Sequence, residues 1–149
     1  MIRLAEERDF EGITNLLRQL NPDDPVIKDG RDKAVFNGIL HNPDLRIFVL
    51  VKDDKIISTC YLNIIPNLTR NASPYAVIEN VVTDSAYRNQ GNGKAVVKFA
   101  LDYAWQAGCY KVMLQTGSKR ESTHHFYRSS GFVEGERFAF IARPAKRPY

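Results

Sequence analysis

Apolar residues recur along the chain at two spacings, one typical of helices and the other of strands. The helical period is clearest early in the chain, in Ile13, Leu16, Leu17 and Leu20. Asp9 stands where it can cap that helix. Helices are predicted at residues 10–20, 31–40, 91–107 and 121–129. Segments rich in β-branched and aromatic residues predict strands at 2–4, 46–51, 56–65, 75–83, 110–116, 132–133 and 137–142.

Prolines, acidic turns and glycines separate these segments. Residues 21–25 contain two prolines and end the first helix. Asp53 and Asp54 form the turn of a hairpin, and residues 67–74 form a polar loop. Gly108 follows the third helix, where a left-handed residue belongs. That helix carries an apolar stripe of Val96, Val97, Ala100, Leu101 and Ala104.

The resulting order, β-α-α-β-β-β-α-β-α-β-β, is that of an α/β protein. Strand 75–83, helix 91–107 and strand 110–116 form a unit whose right-handed crossover makes its two strands parallel. The remaining strands are expected to pair antiparallel. We therefore expect one domain over residues 1–149, in which a mixed, mostly antiparallel sheet contains a central parallel strand pair and carries helices on both faces.

Composition is that of an ordinary globular protein, with 44% hydrophobic and 26% charged residues among 149. The net charge of +4 is mild and does not indicate nucleic-acid binding. Cys60 and Cys109 lie far apart, so we expect free, buried thiols in a reducing cytoplasm. No apolar run predicts a membrane span or a signal peptide. We expect no metal, nucleic-acid or membrane partner, and a solvated basic tail at residues 143–149.

The strongest chemical signal lies between a predicted strand and a predicted helix, in Tyr87-Arg88-Asn89-Gln90-Gly91-Asn92-Gly93-Lys94. Gly91 and Gly93 let the backbone approach a ligand closely. The first turn of the helix offers unpaired N–H groups at the positive end of its dipole. Because Arg88 and Lys94 add positive charge, the segment is suited to a pyrophosphate. A glycine-rich turn without a ligand is the alternative.

Two other phosphate-binding motifs do not fit this segment. A Walker loop needs Ser or Thr after its lysine, whereas Ala95 follows Lys94. A dinucleotide fingerprint needs a third glycine, where this chain has Val96.

Two motifs resemble the GCN5-related N-acetyltransferase (GNAT) family. Arg88-x-x-Gly91-x-Gly93 is similar to its coenzyme A signature, and residues 126–132 resemble its Phe-Tyr-x-x-x-Gly-Phe. Residues 78–82 and 108–112 are most similar to the glucosamine-6-phosphate N-acetyltransferases, although Asn80 replaces an acid there. Residues 113–116 also differ from those enzymes, which leaves the acceptor open.

The resemblance implies a GNAT fold and acetyl-CoA as co-substrate. It assigns to acetyl-CoA the strand residues Val81, Val82 and Thr83 and the loop residues Arg88, Asn89, Gln90, Gly91, Asn92, Gly93 and Lys94. Glu79 is the implied base for the amine, directly or through water, and Tyr127 the implied acid for the leaving thiolate. A backbone N–H at a bulge near Val81 or Val82 is the implied oxyanion donor.

Structural alternatives stand beside these assignments. Partial burial of Glu79 is expected from its apolar strand, but a carboxylate on the strand face, in an ion pair or in water, is the alternative. Tyr127 can instead serve as an aromatic packing residue. His124 and His125 are adjacent and so face different directions, and solvent exposure or a place at a helix start is favoured over catalysis. Apolar residues near the chain end form either core or the interface of a homodimer: Phe138, Phe140 and Ile141.

The predicted activity is transfer of an acetyl group to a primary amine of a small molecule, such as an amino sugar phosphate or an amino acid. Acetylation of protein N-termini or lysines is one alternative. A non-catalytic acyl-CoA-binding module is another.

Overall fold

Five strands form one sheet in the computed structural model, which describes residues 1–146. The strands are β1 (Ile2–Leu4), β2 (Leu45–Lys52), β3 (Lys55–Ile65), β4 (Tyr75–Thr83) and β5 (Val112–Met113). The helices are α1 (Phe10–Leu20), α2 (Arg31–His41), the four-residue turn α3 (Thr69–Ala72), α4 (Asn92–Gln106) and α5 (Glu121–Ser129). None of the helices in this range is long and apolar enough to cross a membrane. The end of the predicted tail, residues 147–149, lies outside the described residues.

The strands follow one another across the sheet in chain order. The first four pair antiparallel, whereas β4 and β5 pair parallel, because α4 carries the chain back between them. The mixed sheet and the parallel pair are thus confirmed. The pair lies at the edge of the sheet and not at its centre, since β5 has no further neighbour within residues 1–146.

The predicted final hairpin is wrong for the described part of the chain. No strand follows α5 there, and Phe138 and Phe140 are 87% and 94% exposed. The alternation at residues 137–142 indicates an apolar face, but it does not say what covers that face. β5 is also shorter than the predicted strand 110–116, because only Val112 and Met113 have regular strand pairing. These late aromatic residues are therefore not part of the core.

Two apolar layers cover the opposite faces of the sheet. On one face, α1 and α2 bury Ile13, Leu16 and Phe36 against β2 and β3. On the other, α4 buries its whole predicted apolar stripe against Phe48 and Ile78. Each large buried side chain contributes about 1.5–3 kcal/mol to folding. Packing on both faces fixes the position of β3 and β4, which carry the candidate site.

Asp9 lies just before α1, as predicted, but its side chain does not cap that helix. The carboxylate instead accepts two hydrogen bonds from Arg3, at 2.5 and 2.9 Å, and one from Glu6 N at 2.7 Å. The Arg3 guanidinium holds the pKa of Asp9 below its usual range. Because the backbone of Asp9 is already helical, its side chain turns back towards the preceding residues.

Candidate active site

The two strands of the parallel pair separate after two residue pairs. Ala76 pairs with Val112 and Val77 with Met113, whereas β4 continues along β3 as far as Thr83. Beyond residue 77, that edge of β4 has no strand partner in the described chain. Its backbone groups can therefore bind an extended ligand, as a further strand would.

A β-bulge interrupts β4 within this open stretch. The register with β3 shifts between Thr59 and Tyr61, so that Asn80 and Val81 together face Cys60. Asn80 has a φ of 53°, in the left-handed region that asparagine adopts more readily than most residues. A bulge leaves one residue unpaired with the neighbouring strand. The structure thus contains a bulge where the resemblance implied an oxyanion donor.

Helix α4 begins near the carboxyl end of β4. Its first internal hydrogen bond runs from Ala95 N to Gly91 O at 3.0 Å, so the amides of residues 92–94 have no partner within the helix. Gly91 has a φ of 79°, and a Cβ built there would meet no atom within 4 Å. Arg88 and Lys94 are both exposed here. The predicted pyrophosphate seat therefore combines helix-terminal donors, positive charge and open space.

Gly93 serves a different purpose from Gly91. It is buried, and a Cβ built on it would lie 2.9 Å from Thr83 Oγ1 and 3.3 Å from the Phe126 ring. A methyl group here would force the Thr83 or Phe126 side chain to shift, so glycine is favoured. Gly93 thus lets the first turn of α4 lie directly against β4 and α5.

Side chains of the loop hold it against β4. Arg88 Nε donates to the Thr83 carbonyl at 3.0 Å, and Asn92 Nδ2 donates to the Tyr87 carbonyl at 2.9 Å. Asn89 takes a left-handed φ of 59°. Arg88 therefore shapes the loop as well as adding charge to it.

Helix α5 brings Tyr127 near Glu79. Burial raises the pKa of the Tyr127 phenol, and electrostatic interactions with Cys60 and Glu79 raise it further. The ring also packs edge-on against Phe126 and Phe132, with centroid separations of 4.9 and 6.1 Å. Packing and proton donation are therefore compatible, because a phenol with a raised pKa keeps its proton at neutral pH.

Glu79 lies opposite Tyr61 in the ladder of β3 and β4. Directly opposed residues in antiparallel strands share a face of the sheet, which here is the face covered by α1 and α2. Glu79 is exposed, so the partial burial expected from its apolar strand is not observed. Within residues 1–146 it forms no ion pair, so it matches the alternative of a strand-face carboxylate in water, which is accessible.

The two histidines of α5 lie where the sequence favoured them. His125 is exposed, whereas His124 contacts Glu134 through Nδ1 at 2.6 Å and the Ser118 carbonyl through Nε2 at 2.7 Å. These contacts tie α5 to the segments on either side of it. No group of three or more His, Cys, Asp or Glu residues in the described range could hold a metal ion.

Sequence reasoning missed the polar side chains of β3 that contact the end of β4 and the residue after it. Ser58 Oγ lies 2.8 Å from Thr83 Oγ1 and donates to the Val82 carbonyl at 3.1 Å. Lys55 Nζ lies 2.8 Å from Asp84, whose pKa it lowers. The buried run Ser-Thr-Cys at 58–60, small and partly polar within an apolar strand, was the available signal.

Comparison with known proteins adds independent information. Residues 11–132 match the acetyltransferase (GNAT) family. A glucosamine 6-phosphate N-acetyltransferase of Trypanosoma brucei brucei is 32% identical over 143 residues, which cover 91% of this chain and 90% of that protein.

Two solved structures are also similar to this chain over nearly its whole length. A protein of Agrobacterium tumefaciens str. C58, provisionally named an acetyltransferase, is 44% identical with a TM-score of 0.90, over 96% of this chain and 99% of that one. The glucosamine-6-phosphate N-acetyltransferase of Arabidopsis thaliana is 29% identical with a TM-score of 0.83, over 98% of both chains.

The packing at Gly93 generates a stability prediction. Gly93→Ala should lower the free energy of unfolding by roughly 1–3 kcal/mol, because the added methyl group forces Thr83 or Phe126 to move. Gly38→Ala is the matched control, since a Cβ there meets no atom within 4 Å and alanine favours a helix by about 0.5–1 kcal/mol. Urea denaturation measures both changes. Equal stability of Gly93→Ala and the native chain would contradict the prediction.

Proposed function

Because this chain belongs to the GNAT family of acetyltransferases and is an N-acetyltransferase, we propose that it moves an acetyl group from acetyl-CoA directly to a primary amine of a small molecule. The observation that carries this proposal is the open edge of β4. Helix α4 begins just after the end of this strand, Glu79 lies on the strand, and Tyr127 of α5 lies near Glu79. Acetyl-CoA supplies the acetyl group as a thioester.

The described residues fit such a co-substrate. The amides of Asn92, Gly93 and Lys94 at the start of α4 suit a pyrophosphate, and the open space at Gly91 admits it. We assign the pantetheine arm to the backbone of residues 81–83. The carbonyls of Val82 and Thr83 already accept bonds from Ser58 and Arg88, but each carbonyl oxygen has a second lone pair.

Glu79 is our candidate for the general base. An alkyl ammonium has a pKa near 10 and is mostly protonated at neutral pH, so attack requires loss of a proton. Because Glu79 is exposed, water reaches its carboxylate and can relay that proton. The amine nitrogen then forms its bond to the acetyl carbon as the carbon–sulfur bond breaks. A backbone N–H at the bulge by Val81 would stabilise the charge on the carbonyl oxygen.

Tyr127 is our candidate for the general acid. Its raised pKa keeps the phenol protonated, and its position near Glu79 places it beside the same stretch of β4. The phenol gives its proton to the departing sulfur, and solvent restores it afterwards.

A thiol-release assay with acetyl-CoA and a panel of amines tests the proposed activity. We expect release that depends on a small primary amine, and a loss of roughly 10²-fold in kcat for Glu79→Gln at pH 7. The loss should shrink as the pH approaches 10, because the amine then deprotonates without help. Glu11→Gln, on the exposed surface of α1, is the control. Turnover on peptides alone indicates a protein acetyltransferase, and calorimetric binding of acetyl-CoA without any turnover indicates a binding module.

The acid role of Tyr127 is tested by Tyr127→Phe, which keeps the ring and removes the hydroxyl. We expect kcat to fall about 10²-fold while the melting temperature stays within a degree or two of the native value. Tyr110→Phe makes the same chemical change on the partly exposed Tyr110, outside the site, and should leave kcat unchanged. A kcat for Tyr127→Phe equal to that of the native chain would exclude the Tyr127 hydroxyl as the acid and leave only a packing role for the ring.

We also propose a homodimer that covers the exposed residues Phe138, Phe140 and Ile141. The three side chains are between 64% and 94% exposed, and contiguous exposed apolar residues are typical of interaction surfaces. Sedimentation equilibrium should give twice the 17.0 kDa mass of one chain. The mass should return to that of one chain in Phe140→Glu. A native protein that sediments as a monomer at micromolar concentration rules the dimer out.

A further inference from the structure

A cavity of about 370 Å³ lies between α1, α2 and the sheet, on the face that carries Glu79. Its lining includes Tyr61 and Asn80, the left-handed residue of the bulge. The cavity therefore reaches the β4 bulge, next to Glu79 in the chain. Its volume is within the range of about 300–1,000 Å³ that is typical of small-molecule sites.

The walls of this cavity are almost entirely apolar. Its two helices and the segment between them contribute aromatic and branched side chains, mainly Phe10, Ile13, Leu17, Ile27, Val35 and Phe36. Binding of apolar groups to such a surface is favourable, whereas burial of unpaired hydroxyl groups against it is unfavourable.

The hydroxyl groups in the cavity are already engaged with the protein backbone. Thr14 Oγ1 donates to the Phe10 carbonyl at 3.0 Å, and Thr59 Oγ1 donates to the Phe48 carbonyl at 2.7 Å. Neither hydroxyl therefore has its proton available for a sugar hydroxyl.

Positive charge is also scarce in the cavity lining. Arg31 is the single cationic residue among the described residues that line it, and Asp32 lines it too. Arg31 Nε also lies 3.8 Å from the Asp29 carboxylate. A phosphate dianion would thus meet one partly neutralised arginine beside a carboxylate, which does not make a phosphate site.

We propose that the acceptor is a small primary amine on an aromatic or branched aliphatic body, which lies between α1 and α2 with its nitrogen at the Asn80 bulge. The inference rests on the proposed acetyl transfer and narrows its acceptor. It separates this chain from the relatives that are named for glucosamine 6-phosphate.

Polar residues also line the cavity beside the β4 bulge. Asn80 and Tyr61 both line it and carry hydrogen-bonding groups, and Glu79 pairs with Tyr61 across the ladder. Burial raises the pKa of Tyr61, so its phenol stays neutral. An apolar body against the aromatic and branched side chains and an amine beside Asn80 therefore match the two kinds of residue that line the cavity.

The acceptor class is tested by comparing 2-phenylethylamine and 3-methylbutylamine with glucosamine 6-phosphate in the thiol-release assay. We expect kcat/KM for both apolar amines to exceed that for the sugar phosphate by at least about tenfold. Faster turnover of glucosamine 6-phosphate would overturn the inference and leave the proposed acetyl transfer intact. Turnover of none of these three amines, nor of any other amine in the panel, by folded protein would overturn the proposed transfer and the inference with it. Turnover of other panel amines alone would overturn only the inference.

Variants of α2 test whether the cavity is the acceptor site. Val35→Asp places a charge on its wall at a residue that is 62% exposed, so the fold should tolerate it. We expect KM for 2-phenylethylamine to rise at least about tenfold, with KM for acetyl-CoA unchanged. Ala34→Asp adds the same charge beside the cavity and should leave both values unchanged. Equal KM values in the two variants would overturn the placement of the amine.

Discussion

The close approach of α4 to β4 at Gly93 is the contact on which the rest of the site depends. A methyl group at this position would press on Thr83 and Phe126, so glycine lets the helix start this close to β4 without displacing either side chain. The approach brings three elements to one place: the amides that begin α4, the open edge of β4, and the helix that carries Tyr127. None of these elements alone distinguishes an acetyltransferase from another α/β protein. Their junction supports both the binding of a long, charged co-substrate and chemistry at its far end.

The bulge at Asn80 organises the other end of the site. It interrupts the ladder where β4 has already parted from β5, and it lies between a polar edge and an apolar cavity. The two sides of β4 consequently serve different partners. One edge faces the proposed co-substrate, while the face beneath α1 and α2 receives the proposed acceptor. An enzyme that joins two substrates directly needs such an arrangement, because each must reach the reacting carbon without displacing the other.

Much of this organisation could be predicted from the sequence, and the exceptions have physical reasons. β4 and α5 have the predicted bounds because their apolar patterns end at clear turn signals. The final hairpin was wrong because alternating aromatic residues indicate a face that needs covering but do not identify what covers it. The cavity was not anticipated, since its lining residues come from distant segments and have the same character as core residues. The side chain of Asp9 was misassigned because a capping position does not specify which neighbour the carboxylate will choose. Glu79 and Tyr127 remain predictions, which rest on the family resemblance and on the proximity of the two side chains.

The burial of Cys60 has a chemical consequence for an enzyme whose product is itself a thiol. The Cys60 side chain packs against α4, where Sγ donates to the Val96 carbonyl at 3.9 Å, and it lies near Tyr127. Coenzyme A released at the proposed site would therefore lie close to another sulfur atom. Disulfide exchange and oxidative coupling both proceed through a thiolate. Burial raises the pKa of Cys60 to about 12, which keeps its sulfur protonated and poorly nucleophilic at neutral pH. If the reaction takes place at the proposed site, a cysteine can therefore lie beside it without forming a mixed disulfide with coenzyme A.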